Sequence, residues 1–121
     1  MIQKTNRTFV YNGYEKTKLR LKVCTYRDNS LCIMAYSKEN NEEELYGAIT
    51  VCLGETDLQK NHQYIDVNNL PNIEKFLQNN HIAVATGRKC KSGFVTYPEY
   101  KFNEKMLREI DETGYETYLE K

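Results

Sequence analysis

The segment Thr86-Gly87-Arg88-Lys89-Cys90-Lys91-Ser92-Gly93 gathers the residue types that hold anions. Two glycines permit close backbone approach, Arg88, Lys89 and Lys91 bring positive charge, and Thr86 and Ser92 bring hydroxyls. A loop built this way can cradle a phosphate or touch nucleic acid. It is not a P-loop, because G-x-x-x-x-G-K-[ST] is absent, and a charged hairpin turn is the plainer alternative. Tyr97 and Tyr100 follow it closely and could stack on bases or anchor a protein contact. A second group is acidic: Glu42, Glu43 and Glu44 are consecutive, and such a run can occupy a basic channel in another protein.

The remaining reactive side chains offer less. The four cysteines, Cys24, Cys32, Cys52 and Cys90, form no C-x-x-C pair and no zinc-binding spacing. Cys24 and Cys32 flank the turn at Asp28-Asn29-Ser30 and should face each other across a hairpin as reduced, packed thiols. His62 follows a polar turn and His81 follows Asn79-Asn80, so both read as surface or capping histidines. Asp66, Asn68 and Asn69 read as turn formers ahead of a helix, without the spaced ligands of a calcium loop. An enzyme using Asp66 or His81 has no identifiable reaction, since paired carboxylates, H-E-x-x-H and a Rossmann glycine pattern are all missing. No catalytic residue, metal or cofactor is expected.

The elements that must position these groups follow from periodicity. Residues 8–11 precede Asn12-Gly13, a strong turn dipeptide. Leu19, Leu21 and Val23 then alternate with Lys18, Arg20 and Lys22 on the two faces of a strand. Residues 31–36 are apolar on both faces and read as a central strand, and after the polar loop at 38–43 residues 45–53 read as a second strand with little polarity. A shorter strand is expected at 63–67. Pro71 belongs in the first turn of a helix carrying Ile73, Phe76 and Leu77 on one face, with Asn79-Asn80 supplying its left-handed stop. Residues 94–102 read as extended, with Pro98 marking an edge or bulge. Asn103 is an N-cap for a last helix carrying Met106, Leu107 and Ile110, with Phe102 and Leu107 placed as a hydrophobic staple and Gly114 closing it. The expectation is α+β: an antiparallel meander of about five to six strands with two short helices packed on it. It forms one domain over 1–121, with an ordered core at 8–112 and a flexible tail at 113–121.

Composition limits the function classes. The 121 residues hold 17 basic and 17 acidic side chains, which argues against a protein that works by coating nucleic acid or acidic membrane. The charge is segregated all the same. Lys4, Arg7, Lys16, Lys18, Arg20 and Lys22 make the start basic, whereas Glu39, Glu42, Glu43, Glu44, Glu55 and Asp57 make the middle acidic. Hydrophobic residues at 40% suffice for a core, no apolar run reaches the roughly 18 residues needed to cross a bilayer, and no signal-peptide core is visible. A cytoplasmic location without membrane contact is expected.

Several turn motifs occur in a familiar order: Tyr11-Asn12-Gly13, Leu19-Arg20-Leu21-Lys22-Val23, Tyr26-x-Asp28-Asn29-x-Leu31, Asp66-Val67-Asn68-Asn69, Thr86-Gly87-Arg88, Ser92 through Pro98, and Tyr100-x-Phe102-Asn103. Over roughly residues 9–110 the chain resembles a family of small domains of unknown function carried by plasmids, conjugative elements and prophages of low-GC Gram-positive bacteria. That resemblance brings no catalytic residues. It implies a non-enzymatic anti-defence protein of a mobile element, inhibiting a CRISPR effector or similar nuclease by covering a functional surface. The protein partner would meet Glu42, Glu43, Glu44, Tyr97 and Tyr100. The alternative is a nucleic-acid or phosphorylated-ligand binder using Thr86, Arg88, Lys89, Lys91 and Ser92.

Overall fold

The computed structural model describes residues 7–39, 42–54 and 58–121. Lys4, Glu55 and Asp57, which enter the charge pattern above, lie outside the described residues. The expected α+β antiparallel architecture is present, with eight strands divided between two sheets. The first sheet has the order β1 (Phe9–Asn12), β2 (Lys16–Thr25), β3 (Leu31–Glu39), β4 (Glu42–Ala48). The second contains β5 (Thr50–Val51), β6 (His62–Ile65), β7 (Ala83–Ser92) and β8 (Val95–Phe102), in the order β5-β6-β8-β7. Each hydrogen-bonded neighbour pair is antiparallel, as short hairpin links favour.

The alternation along β2 fixes its register. Leu19, Leu21 and Val23 are buried, and the lysines and arginine between them face outward. Cys24 lies opposite Cys32, as the turn symmetry implies. The chain leaves the first sheet at Ile49, whose N–H donates to Ile33 O at 2.9 Å, while Ile33 N–H donates to Thr50 Oγ1 at 3.1 Å. Gln63, fully buried, donates from Nε2 to Leu31 O at 2.8 Å and Ser30 Oγ at 3.0 Å. Backbone and amide bonds thus join the sheets where a break in one continuous meander would otherwise leave buried donors unpaired.

One hydrophobic cluster includes residues of both sheets and both helices. Helix α1 (Ile73–Asn79) sets Phe76 edge-on against Phe9 and Tyr11. It starts later than the proline suggests: Asn72 is its N-cap, and Pro71 O accepts the Tyr11 hydroxyl at 2.7 Å. The left-handed residue after the helix is His81 (φ 58°), not an asparagine.

Helix α2 (Glu104–Leu119) begins at the expected cap, with Asn103 Oδ1 accepting Met106 N–H at 2.9 Å. It does not end at Gly114. The chain kinks at Asp111 and continues helical to Leu119, burying Tyr115 and Tyr118. Residues 113–119, expected as a loose tail, are therefore tied to the core by two aromatic rings. Among the described residues no helix is long and apolar enough to cross a membrane.

Candidate functional site

Strands β7 and β8 form a hairpin whose inner and outer halves differ. The inner half belongs to the second sheet, with Ala83, Tyr100 and Phe102 buried in the core. Strand β6 pairs with β8 only from Glu99 to Lys101. Past that point, residues 89–98 pair only with each other as a two-stranded ribbon. Phe94 sits at its tip with the whole side chain in solvent, at 104% relative exposure.

The segment expected as an anion-binding loop is therefore mostly strand. Its irregularity is a bulge: Ala85 pairs with Tyr100 and Lys89 with Pro98, so Thr86, Gly87 and Arg88 stand opposite Glu99 alone. Gly87 supplies the positive φ (94°) that this detour requires. Pro98, beside the bulge and beyond the reach of β6, occupies a position where its missing N–H is tolerated.

The bulge turns Arg88 back onto the sheet. Its Nε and Nη2 donate to Glu99 Oε1 and Oε2 at 3.1 and 2.9 Å, and His62 Nδ1 donates to Glu99 Oε2 at 2.5 Å. Glu99 is 2% exposed and His62 7%. Burial pushes the Glu99 carboxyl up, but the hydrogen bonds and charges of Arg88 and His62 outweigh it and hold it below the usual carboxylate range. The Thr86 hydroxyl donates to Glu99 O at 3.3 Å and accepts Arg88 N–H at 3.2 Å. This clamp joins β6, β7 and β8 at the base of the ribbon and fixes its direction.

These contacts correct several sequence readings. Arg88 and Thr86 are engaged internally, so they are not free anion ligands. Lys89, Lys91 and Ser92 remain exposed. His62 is a buried partner of Glu99, not a surface histidine. Tyr100 is fully buried: its hydroxyl donates to Glu74 Oε1 at 2.6 Å and accepts Gln78 Nε2–H at 2.7 Å. Burial, then the Glu74 carboxylate, pushes its pKa up to about 12. It cannot anchor a partner. Tyr97, three residues away, takes the opposite face with Cys90 and Val95, and is partly exposed. The ribbon thus has one face of Cys90, Ser92, Val95 and Tyr97, and another of Lys89, Lys91, Thr96 and Pro98.

The three glutamates lie on β4, an edge strand, and alternate between its faces. Glu43 turns toward β2 and accepts from Arg20 through both carboxylate oxygens. Only Glu42 and Glu44 share a face. Asp66 is spent within its own turn, accepting Asn69 N–H and Nδ2–H at 3.1 and 2.9 Å. His81 lines an open cleft of about 660 Å³ with Val84, Lys101 and Glu104. Missed altogether was Glu99, for which no short motif exists, because His62 and Arg88 reach it from different strands.

The fold and this geometry define an α+β protein of two antiparallel sheets that presents a clamped, aromatic-tipped ribbon. Residues 20–121 match the family described as a domain of unknown function, DUF4313, and the chain belongs to that family. No curated protein and no solved structure matches the chain significantly.

Proposed function

We propose that this protein acts by binding another protein and not by catalysis, with the β7–β8 ribbon as its contact element. The observation that carries this reading is Phe94, fully exposed at the tip of a ribbon whose base is fixed by Glu99, His62 and Arg88. A large aromatic ring in water gains most by entering a partner's pocket, and a rigid base lowers the ordering cost of doing so. Val95 and Tyr97 extend the apolar contact along one face. The partner proposed is a host-defence nuclease or effector, a CRISPR effector foremost, inhibited by coverage of a functional surface in the cytoplasm. Support for that setting comes from the resemblance to small domains of mobile elements. Glu42 and Glu44, exposed on an edge strand, supply the acidic contact to a basic channel.

The second reading, binding of nucleic acid or a phosphorylated ligand at residues 86–93, is favoured by Lys89 and Lys91 on one ribbon face. The experiment is capture from host lysate with the tagged chain, its Phe94→Ser/Tyr97→Ser variant and its Glu42→Lys/Glu44→Lys variant. A stoichiometric effector protein lost with the ribbon variant supports the proposal, and loss with the glutamate variant supports the acidic contact. Retention of nucleic acid alone, abolished by Lys89→Glu/Lys91→Glu, moves the assignment to the second reading.

A further inference from the structure

The outward face of the first sheet concentrates positive charge. Lys16, Lys18, Arg20 and Lys22 occupy alternate positions of β2, on the face opposite Leu19, Leu21 and Val23. Strand β3 adds Tyr36, opposite Arg20, and Lys38, opposite Glu43. The buried residues of both helices belong to the same cluster as Leu19 and Leu21, so the helices pack on the other side and leave this face open. Arg20 is paired with Glu43, whose charge Lys22 and Lys38 also feel, but among the described residues none of the four lysines forms a close ion pair with a carboxylate. The Arg20 guanidinium and the Lys22 ammonium stand 5.9 and 5.7 Å from the Tyr36 ring centroid.

Cations two residues apart on a strand are about 7 Å from each other, within one Debye length of about 8 Å at physiological salt. Their fields therefore add, even though the chain as a whole is neutral. A polyanion is the complementary partner. The shape decides which one: a duplex groove admits a helix or a two-stranded ribbon, whereas four strands side by side are too broad to enter. A broad sheet face with a partly exposed aromatic ring beside cations suits unpaired bases, whose faces are free to stack.

We propose that this sheet face binds single-stranded nucleic acid, with Lys16, Lys18, Lys22 and Lys38 on phosphates and Tyr36 stacking a base. The site is separate from the ribbon and stands or falls independently of it. The test is fluorescence anisotropy of a labelled oligothymidylate over a salt series, with the matching duplex as competitor. Four phosphate contacts give a slope of log K against log salt of about −3. Lys18→Ala/Lys22→Ala should roughly halve that slope and weaken binding at low salt on the order of tenfold or more. Tyr36→Ala should weaken it about 5- to 100-fold, and Tyr36→Phe should restore it. The lysines are at the surface, so their variants keep the fold and remain decisive if Tyr36→Ala does not. Lys89→Glu/Lys91→Glu should leave binding unchanged. Absence of binding at low salt, equal preference for duplex, displacement by polyglutamate at equal charge, or loss only with the ribbon variant would each overturn the proposal.

Discussion

Asp111 accepts the backbone N–H of Val23 at 3.0 Å through Oδ2, and Oδ1 of the same carboxylate accepts Gly114 N–H at 3.0 Å. Strand β1 pairs with β2 only as far as Leu19, so the outer edge of β2 beyond it presents unpaired donors. The kink of α2 at Asp111 turns its carboxylate onto that edge and caps the helix's second half. Gly114 is part of the same approach, because a Cβ there would press into the Val23 carbonyl oxygen and the Asp111 carboxylate.

Gly114→Ala therefore has an informative sign. In an exposed helix it would stabilise by about 1 kcal/mol. Here the obstacle is backbone, and the variant should destabilise by about 1–3 kcal/mol. Asp111→Ala should cost a similar amount, about 1–3 kcal/mol, by leaving the Val23 and Gly114 donors unpaired. Urea denaturation of both variants checks this. A stabilised Gly114→Ala would show that the helix stands off the strand.

The Glu99 clamp predicts a particular acid sensitivity. Its carboxyl titrates below the ordinary range when folded, so its stabilisation is complete above the unfolded value of about 4.3. That stabilisation is lost as pH falls through the folded value. Thermal unfolding of Glu99→Gln should therefore depend less on pH below about 4 than that of the parent chain. Above that range the variant should be less stable by about 1–3 kcal/mol. Parallel pH curves would mean that the clamp contributes nothing specific.

Much of the fold was legible because local pattern and tertiary burial agree: the period-two strand at 18–23, the Asn103 cap and the Cys24/Cys32 pairing all follow from spacing. Division into two sheets was not legible, since it turns on bonds from Ile33, Ile49 and Gln63 that no local pattern encodes. One site error was avoidable: Tyr97 and Tyr100 lie three apart in a segment read as extended, so only one can face outward. The split of the glutamates was not, because the pattern starts that strand at 45 and only the structure carries it back to Glu42. The Glu99 clamp had no such signal. His62, Arg88 and Glu99 lie far apart in sequence, and only the pairing of β6, β8 and β7 converges them.

The end of α2 should prove structural. Tyr118 accepts Asn61 N–H at its hydroxyl at 2.8 Å, and Tyr115 donates to Asn61 Oδ1 at 3.0 Å. Asn61 holds a positive φ of 68° just before β6, so the two tyrosines brace the turn that leads to His62. Tyr118→Ala should destabilise by about 3–5 kcal/mol, and Tyr118→Phe by about 1–2 kcal/mol through the unpaired amide. Truncation after residue 113 should unfold the chain or shift its melting temperature sharply. An unchanged melting curve for the truncated chain would return these residues to the status of a tail.

Thiol reactivity should rank against exposure. Cys24 and Cys32 face each other on β2 and β3. The neighbouring Cys32 thiol, followed by the charge of Lys22, lowers the Cys24 pKa to about 7 against the opposing effects of burial and Asp111. Cys32, hydrogen-bonded to the Cys24 thiol and buried, is pushed upward. Because the thiolate is the nucleophile, iodoacetamide at neutral pH should modify Cys24 ahead of the more exposed Cys52, with a rate that reaches half its maximum near pH 7. Cys32→Ala removes the larger lowering influence and should move that midpoint upward. Peptide mapping by mass spectrometry reads both quantities. If Cys52 reacts first and the Cys24 profile ignores the Cys32 substitution, the two thiols pack as ordinary apolar side chains and the outward face of β2 and β3 holds no activated nucleophile.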